Sequence, residues 1–459
     1  MKDLTQGSVL RHLLSLSGFV LVGMAMLTLY SLVDLYFVGR LGARAVAAVA
    51  ISSNLMMISM SLSQMLGVGT GALVAQAVGR KDADAAHRTF NQAFGIAMLM
   101  ALLFVLALRL GEAAYISAFS ADDETAIFTA GYLRWFVPSM ALQFPLMVMS
   151  SALRGTGSMV PATAAQIGSV VLNIALAPVL IFGLIGAPRL GVEGAGLATF
   201  LASFAGFAGL LFYFGRPQAY LKLQLRGWRP QYRLWGQILK IGLPSAAEFA
   251  LMGCYLIFIT ALLKPFGASQ QAAFGIGQRL LQATMMPAMA LSFAATALAG
   301  QNFGARRAER VRATFIATLK LGIPLAVLLW LLMQSLPSVL IGVFSSDPAV
   351  LAAGVDFLRV LSFNLIAVTI AFACFGVLSG LGNTVPTLIS STTRIVLIIV
   401  PATLLSRHAD FRVIWLWYLS VAATVLQMLM NLYFLRRELR RKLGGMTPPV
   451  VAATPAVDA

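Results

Sequence analysis

Apolar residues are grouped along the chain in long runs that short polar stretches separate. A helix needs about 20 largely apolar residues to cross the hydrocarbon of a membrane, and twelve runs of about this length can be distinguished. Backbone groups in hydrocarbon must be paired inside each segment, which favours helices. The runs begin near Leu13, Val46, Phe90, Ala126, Pro161, Val192, Ile238, Ala272, Thr314, Val350, Pro386 and Val413. We therefore predict an all-α integral membrane protein with twelve transmembrane helices.

The composition excludes several other classes of protein. Of the 459 residues, 59% are apolar and 11% are charged, whereas soluble domains have about 45–50% and about 25%. The chain has too little charge for a soluble enzyme or a disordered protein. Its two cysteines, Cys254 and Cys374, lie in apolar runs without disulfide or metal spacing, so we expect both to be buried.

The positive charge indicates topology rather than nucleic-acid binding. The net charge is +17, and Lys and Arg concentrate on one side of the predicted spans, as the positive-inside rule requires of cytoplasmic loops. The basic side contains Lys2 and Arg11; Arg80, Lys81 and Arg88; Arg154; residues 216–240; Arg306, Arg307, Arg310 and Arg312; and Arg436, Arg437, Arg440, Arg441 and Lys442. We predict that both termini are cytoplasmic.

The second half of the chain repeats the first. Displacing the sequence by 225 positions aligns Gln76 with Gln301, Gly79 with Gly304, Asp122 with Asp347 and Pro161 with Pro386. Each half has six predicted helices, so the halves are parallel repeats, an architecture typical of transporters. We predict bundles over residues 1–215 and 237–443, a cytoplasmic linker over 216–236 and a disordered tail over 444–459.

The first span contains an acidic residue, Asp34. A carboxylate in hydrocarbon costs several kcal/mol unless it is neutral, paired or hydrated, and such residues commonly carry ions or protons. Tyr30 lies on the same helix face, and Asn173 in the fifth span needs a hydrogen-bond partner. A functional network of these residues is one interpretation. A helix-end position for Asp34 and an ordinary interhelical hydrogen bond for Asn173 are the alternatives.

Glu248 in the seventh span is the other deep acid. Buried charges are usually paired, which favours a structural ion pair with Arg279 or Arg394. The alternative is that Glu248 binds a cationic substrate.

Enzymatic motifs are weak. Asp82-Ala-Asp84 could hold a metal, but so short a motif is more typical of a solvated helix start. Asp122 and Asp347 are predicted N-caps. The absence of a Walker A sequence argues against ATP as the direct fuel. We expect no enzyme activity, no cofactor and no metal site.

Several motifs together resemble those of multidrug and toxic compound extrusion (MATE) transporters, closest to the DinF-type prokaryotic branch. They are Asp34-Leu-Tyr-Phe-Val-Gly39-Arg-Leu-Gly42, Gly69-Thr-Gly-x-x-x-Ala-Gln76-x-x-Gly79, Leu153-Arg-Gly-Thr-Gly157, Leu172-Asn173, Gly191-Val-Glu-Gly-Ala-Gly196, Gln301-Asn-Phe-Gly304 and Gly380-Leu-Gly-Asn-Thr384-x-Pro386. The resemblance covers residues 1–440.

This resemblance implies the fold of the MOP superfamily, with a V-shaped cavity between two bundles, and multidrug efflux by antiport. In similar proteins the positions of Asp34, Tyr30 and Asn173 form the coupling-cation site. Some carry a second acid where this chain has Ala177, and its absence favours H⁺ over Na⁺ as the coupling ion. The expected substrates are lipophilic organic cations, including antibiotics, and the expected location is a prokaryotic inner membrane.

We expect the substrate cavity to be lined by polar, charged and flexible side chains from both halves. They are Tyr36, Met57, Gln64, Thr199, Glu248, Gln278, Arg279, Gln282 and Arg394. The other expected partner is the lipid bilayer, and we expect a monomer. A flippase for a lipid or lipid-linked saccharide, which the same superfamily contains, is the alternative function.

Overall fold

A computed structural model describes residues 2–224, 229–408 and 410–444. Within these ranges the chain forms helices and no strands. Part of the predicted linker and the predicted tail from 445 onward lie outside them. The helices are α1 (Val9–Gly39), α2 (Ala43–Gly79), α3 (Ala83–Phe119), α4 (Asp123–Gly155), α5 (Val160–Phe182), α6 (Gly191–Gly215), α7 (Tyr232–Leu263), α8 (Ala268–Gly304), α9 (Ala308–Ser335), α10 (Pro337–Gly342), α11 (Pro348–Leu361), α12 (Asn364–Gly380), α13 (Val385–Leu405) and α14 (Val413–Leu443).

The prediction of twelve spans is confirmed, with one span broken. Eleven described helices are long and apolar enough to cross a membrane, and α11 with α12 makes a twelfth that bends by 48°. At this break the amide of Gln334 in α9 donates to the carbonyl of Arg359, at 2.7 Å, and to the hydroxyl of Ser362, at 3.1 Å. The neighbouring helix thus provides partners for groups at the break.

The repeat is also visible in the helix boundaries. The helices α2, α3, α4 and α5 begin at residues 43, 83, 123 and 160, and α8, α9, α11 and α13 begin at 268, 308, 348 and 385. Each of these second-half helices therefore begins 225 residues after the corresponding first-half helix, which is the displacement that the sequence repeat predicts. The prediction of two parallel six-helix repeats is confirmed.

Aspartates begin several of these helices, as predicted. Asp122 accepts a hydrogen bond from the backbone N–H of Thr125 at 2.7 Å, and this bond lowers the pKa of its carboxyl. Asp347 accepts from the N–H of Ala349 at 2.8 Å. Asp82 caps α3 in the same way, so the Asp82-Ala-Asp84 motif is a helix start.

The segment between the halves packs against the first half. The helix α7 begins at Tyr232, within the stretch predicted as linker. Its first turn therefore lies before the apolar span that the sequence marks. Tyr220 stacks on His87 of α3, with ring centroids 6.1 Å apart, and Leu221 is buried. The linker therefore covers the end of the first bundle.

The prediction of two buried cysteines is half wrong. Cys374 is buried, but Cys254 is exposed. Its neighbour Tyr255 occupies the face of α7 that packs into the second-half core, which places Cys254 on the outer face.

The two halves meet through exchanged hydrogen bonds at the basic end of the molecule. The amide of Gln76 in α2 donates to the carbonyl of Gly380, and that of Gln301 in α8 donates to the carbonyl of Gly155, both at 2.8 Å. The two donors, Gln76 and Gln301, are 225 residues apart, and so are the two acceptors, Gly155 and Gly380. The repeat therefore produces a two-fold symmetric contact.

Glycine makes this contact possible. A Cβ on Gly79 would overlap the carbonyl oxygen of Gln301, and a Cβ on Gly304 would overlap that of Gln76. Only glycine allows the ends of α2 and α8 to approach so closely. From Ser63 to Gly79 nearly every residue of α2 is buried, whereas many from Ser53 to Met60 are exposed. The halves are thus closed at this end and separate toward the other.

We expect Gly79→Ala to destabilise this closed interface. The added methyl group must displace the Gln301 backbone, and overpacking of this kind costs about 1–3 kcal/mol. Thermal unfolding of the purified protein in detergent should show a lower Tm. Gly39→Ala is the matched control, since Gly39 also ends a helix but its Cβ would meet nothing within 4 Å. Equal Tm values for the two variants would contradict the proposed close contact.

Candidate functional site

Asp34 lies inside the first bundle, in the last turns of α1. Its side chain is only 7% exposed. Tyr30 lies one turn earlier on α1, and Tyr132 of α4 lies within electrostatic range of both residues. The carboxyl group is therefore enclosed by helices and does not extend to the outer surface.

A threonine hydroxyl joins two of the predicted site residues. The hydroxyl of Thr199 in α6 lies 3.0 Å from the Tyr30 hydroxyl. It also accepts a hydrogen bond from the Asn173 amide of α5 at 3.4 Å and donates to the carbonyl of Ala195 at 3.0 Å. The structure thus brings Tyr30, Asn173 and Thr199 together. Thr199, which the sequence analysis predicts to line the substrate cavity, is the residue that links Tyr30 to Asn173.

Two buried oxygen atoms beside this network have no hydrogen-bond donor among the described residues. They are Oδ1 of Asp34 and Oδ1 of Asn173. Leaving a buried polar group without a partner costs about 1–3 kcal/mol. Either a proton on the carboxyl group or a bound cation would reduce this cost, so the site is suited to taking up one positive charge.

The second half has no equivalent of this site. The counterparts of Asp34 and Asn173, 225 residues later, are Ile259 and Ile398, both fully buried. Tyr30 corresponds to Tyr255. Thr199 corresponds to Thr424, whose hydroxyl donates to the Ser420 carbonyl of its own helix and has no other partner among the described residues. The architecture is repeated, but at the positions of Asp34 and Asn173 the carboxyl and amide groups occur in the first half only.

Ala177 contributes no carboxylate to this site. It lies on α5 one turn after Asn173 and is 0% exposed. A cation bound here would have a single formal negative charge as a ligand, together with neutral hydroxyl and amide oxygens.

Glu248 lies in a separate polar cluster between α7, α13 and α14. The Ser391 hydroxyl donates to its Oε1 at 2.5 Å, and the Gln427 amide donates to that hydroxyl at 2.8 Å. These helices are the second-half counterparts of α1, α5 and α6. Each half thus places one carboxyl group within the same trio of helices, but at different depths.

The predicted ion pair of Glu248 is wrong in both forms. Within the described ranges neither Arg279 nor Arg394 approaches its carboxylate within 4.0 Å, although Arg394 lies in electrostatic range. Arg279 is exposed. The guanidinium of Arg394 instead lies over the Tyr255 ring, 5.6 Å from its centroid. Hydroxyl groups, rather than a cation, solvate Glu248.

The other residues predicted to line the cavity are dispersed. Tyr36 and Met57 are exposed in the open part of the first half, and the Tyr36 hydroxyl accepts a hydrogen bond from Arg40. On α8, Gln278 is half-buried and Gln282 is exposed. Gln64 lies deeper, where the halves converge. The described contacts do not gather these five side chains into one site.

Arg154 was not among the predicted site residues; in the sequence it entered as a topology signal and as part of a family motif. The structure places it with Gln64 around a cavity of about 20 Å³ between the halves, which is enough for a water molecule. Its guanidinium lies over the ring of Phe293, 5.5 Å from the centroid. The repeat-equivalent residue in the second half is Ser379. This difference between the two halves was a sequence signal that could have marked Arg154 as a candidate site residue. Tyr132, which is almost fully buried, carried no such signal.

Comparison with known families identifies the chain. The MatE family model matches residues 20–179 and again residues 244–404, one segment in each repeat. The matched segments cover well over half of the chain, which therefore belongs to the MatE family.

Named relatives cover most of the chain at low identity. The multidrug export protein MepA of Staphylococcus haemolyticus is 24% identical over 381 residues, which are 82% of this chain and 83% of the relative. The probable multidrug resistance protein YoeA of Bacillus subtilis is 27% identical over 285 residues, 61% of this chain and 62% of the relative.

Solved structures confirm the fold. An outward-facing MATE family transporter of the MOP superfamily superposes with a TM-score of 0.88 at 21% identity, over 96% of this chain and 98% of that one. A MOP superfamily transporter from Pyrococcus furiosus gives the same values. The predicted twelve-helix MATE fold is thus observed.

We expect Thr199→Val to destabilise the first bundle. The substitution removes the hydroxyl that Tyr30 and Asn173 share and leaves a buried amide without its partner, at a cost of about 1–3 kcal/mol. A lower Tm in detergent would be the readout. The control is Thr424→Val, at the repeat-equivalent position, which should change Tm much less. A larger loss for Thr424→Val would show that the Thr199 hydroxyl is not a shared partner.

Proposed function

We propose that this protein is a secondary active transporter that exports lipophilic organic cations in exchange for protons. Membership of the MatE family supports a transporter, and the names of MepA and YoeA support multidrug export. The observation that supports proton coupling is the buried Asp34 carboxyl group, one oxygen of which has no partner among the described residues. The chain has Ala177, and no acid, one turn after Asn173.

The coupling step in this proposal is protonation of Asp34. A proton entering from the outside neutralises the carboxylate, changes the hydrogen bonds around Tyr30 and Thr199, and shifts α1. The cavity then loses affinity for its cation, and deprotonation toward the cytoplasm resets the cycle. Proton and drug must therefore weaken each other's binding, because linkage between two ligands is reciprocal.

A proton fits this site better than Na⁺ does. Sodium requires several oxygen ligands and benefits from more than one formal negative charge, whereas a proton requires a single carboxylate. We therefore assign H⁺ as the coupling ion and expect no enzymatic reaction and no cofactor.

The proposed setting is a prokaryotic inner membrane with both termini in the cytoplasm. The concentration of Lys and Arg at the closed end of the two bundles supports this orientation. Export then corresponds to release from the opposite, open end. We propose that the working unit is a monomer, since the cavity forms within one chain.

A flippase for a lipid or lipid-linked saccharide is the second candidate. The observation that favours it is the pair of interior cations, Arg154 and Arg394, neither of which forms an ion pair within the described ranges. Such cations could receive an anionic headgroup. The same reconstituted system distinguishes the two functions.

We expect Asp34→Asn to abolish proton-driven export without unfolding the protein. The amide keeps the size of the side chain but cannot gain or lose a proton in this pH range. The purified protein would be reconstituted in liposomes loaded with a fluorescent organic cation. A pH gradient would be imposed in the absence of sodium, and the flux of the cation would be recorded. The wild type should move the cation, and the variant should match protein-free liposomes.

The matched control is Asp123→Asn, which removes an exposed carboxylate at the start of α4. It should transport like the wild type. Normal flux by Asp34→Asn would rule out the coupling scheme. Wild-type flux driven only by a sodium gradient would assign Na⁺ instead, and movement of a labelled lipid but of no cation would support the flippase.

A further inference from the structure

A groove lies on the second bundle between α9 and α14, at its basic end. Its volume is about 410 Å³. Phe315, Leu435 and Leu439 give it an apolar floor, and Arg312, Arg436 and Arg440 surround it. The groove lies outside the transport site and the interface between the halves.

The three arginines carry uncompensated charge. All three side chains are exposed, and none forms an ion pair within 4.0 Å in the described part of the chain. The nearby acid on α14, Glu438, is occupied elsewhere. It pairs with Arg441 at 2.9 Å and with Lys442 at 3.2 Å.

The first bundle fills the equivalent position with its own side chains. Phe315 and Leu439 correspond to Phe90 and Phe214, whose rings stack with centroids 4.5 Å apart and are almost fully buried. Arg312 corresponds to His87, which the linker residue Tyr220 covers. Leucine in place of phenylalanine and arginine in place of histidine leave an open, basic groove in the second bundle.

The location of the groove indicates what fills it. Both helices are membrane spans, and the groove extends from their charged ends onto their apolar sides. Guanidinium groups bind phosphate by bidentate hydrogen bonds, and basic pockets between transmembrane helices at the membrane boundary are suited to anionic lipid headgroups. A free phosphate ion would leave the apolar floor uncovered, whereas acyl chains would cover it.

We propose that this groove binds an anionic phospholipid, with the phosphate on Arg312, Arg436 and Arg440 and an acyl chain along Phe315 and Leu439. The site is independent of the proposed drug transport. It would fix one lipid against α9 and α14 of the second bundle, in the place that aromatic residues and the linker occupy in the first.

The test measures lipid binding to the full chain. Delipidated protein in detergent would be titrated with dioleoyl phosphatidylglycerol or dioleoyl phosphatidylcholine, and bound lipid would be counted by native mass spectrometry. The wild type should prefer the glycerol lipid. A triple variant should bind phosphatidylglycerol about fivefold more weakly for each arginine removed. This variant combines Arg312→Gln, Arg436→Gln and Arg440→Gln.

A charge-matched control separates a specific groove from general attraction. The variant Arg88→Gln, Arg233→Gln, Arg437→Gln removes three exposed arginines from the same end of the molecule, none of which lines the groove. It should bind like the wild type. Equal losses in the two triple variants would overturn the proposal, as would a wild type with no preference for the anionic lipid.

A further variant tests the apolar floor with every arginine retained. Leu439→Phe should stack on Phe315, as Phe214 stacks on Phe90, and fill the groove. We expect its affinity for phosphatidylglycerol to fall at least severalfold. Unchanged binding by Leu439→Phe, or complete displacement of the lipid by excess inorganic phosphate, would show that the arginines bind a free anion and would overturn the lipid site.

Discussion

The close approach of α2 and α8 at Gly79 and Gly304 is the contact on which the arrangement of the two halves depends. The contact consists of glycine and of backbone carbonyls, with one glutamine amide bonding across it in each direction. Such a surface needs no deep interlocking of large side chains, so its two sides can separate without dismantling either core. The N-terminal segment adds to it, because Lys2 bonds to the carbonyl of Thr156 in the first half, and Leu4 bonds to the side chain of Gln301 in the second. A transporter that alternates access requires an interface of this kind, tight but separable.

The symmetry of this interface contrasts with the asymmetry of the chemistry. Repeat-related residues form equivalent hydrogen bonds where the halves meet, yet Asp34 and Asn173 are replaced by isoleucines in the second half. Glu248 has its own partners in Ser391 and Gln427, at another depth. Duplication therefore supplies a framework for relative motion of the halves. Within each trio of helices, sequence differences between the halves place the carboxyl group at a different depth and give it different partners.

The sequence predicted the fold almost completely, because hydrophobic length, charge asymmetry and an ungapped repeat are properties of the linear chain. It also grouped Tyr30 with Asn173, two polar residues in apolar spans, and the structure joins them through the Thr199 hydroxyl. The predicted ion pair of Glu248 with an arginine was wrong. Pairing with an arginine is the usual outcome for a buried acid, but hydroxyl groups on α13 were already within reach. The link that Thr199 makes between Tyr30 and Asn173 was not predicted, because the rotation of α6 is set by packing. The same limit hid the role of Tyr132, which only the tertiary structure brings near Asp34.

The helix α1 connects the carboxyl site to the closed end. Asp34 lies in its last turns, and its first turns follow directly from the segment that bonds to Gln301 and Arg310. Along its length α1 packs against α5 of its own half and α8 of the other, so Leu13 and Ala294 share one core cluster. A packed helix moves as a unit more readily than it deforms, because protein interiors are close to crystal density. In the proposed cycle, a change in charge at Asp34 would therefore alter the fit between α1 and α8 as well as the local hydrogen bonds. This continuity provides a physical route from protonation to separation of the halves without requiring a chain of side-chain relays.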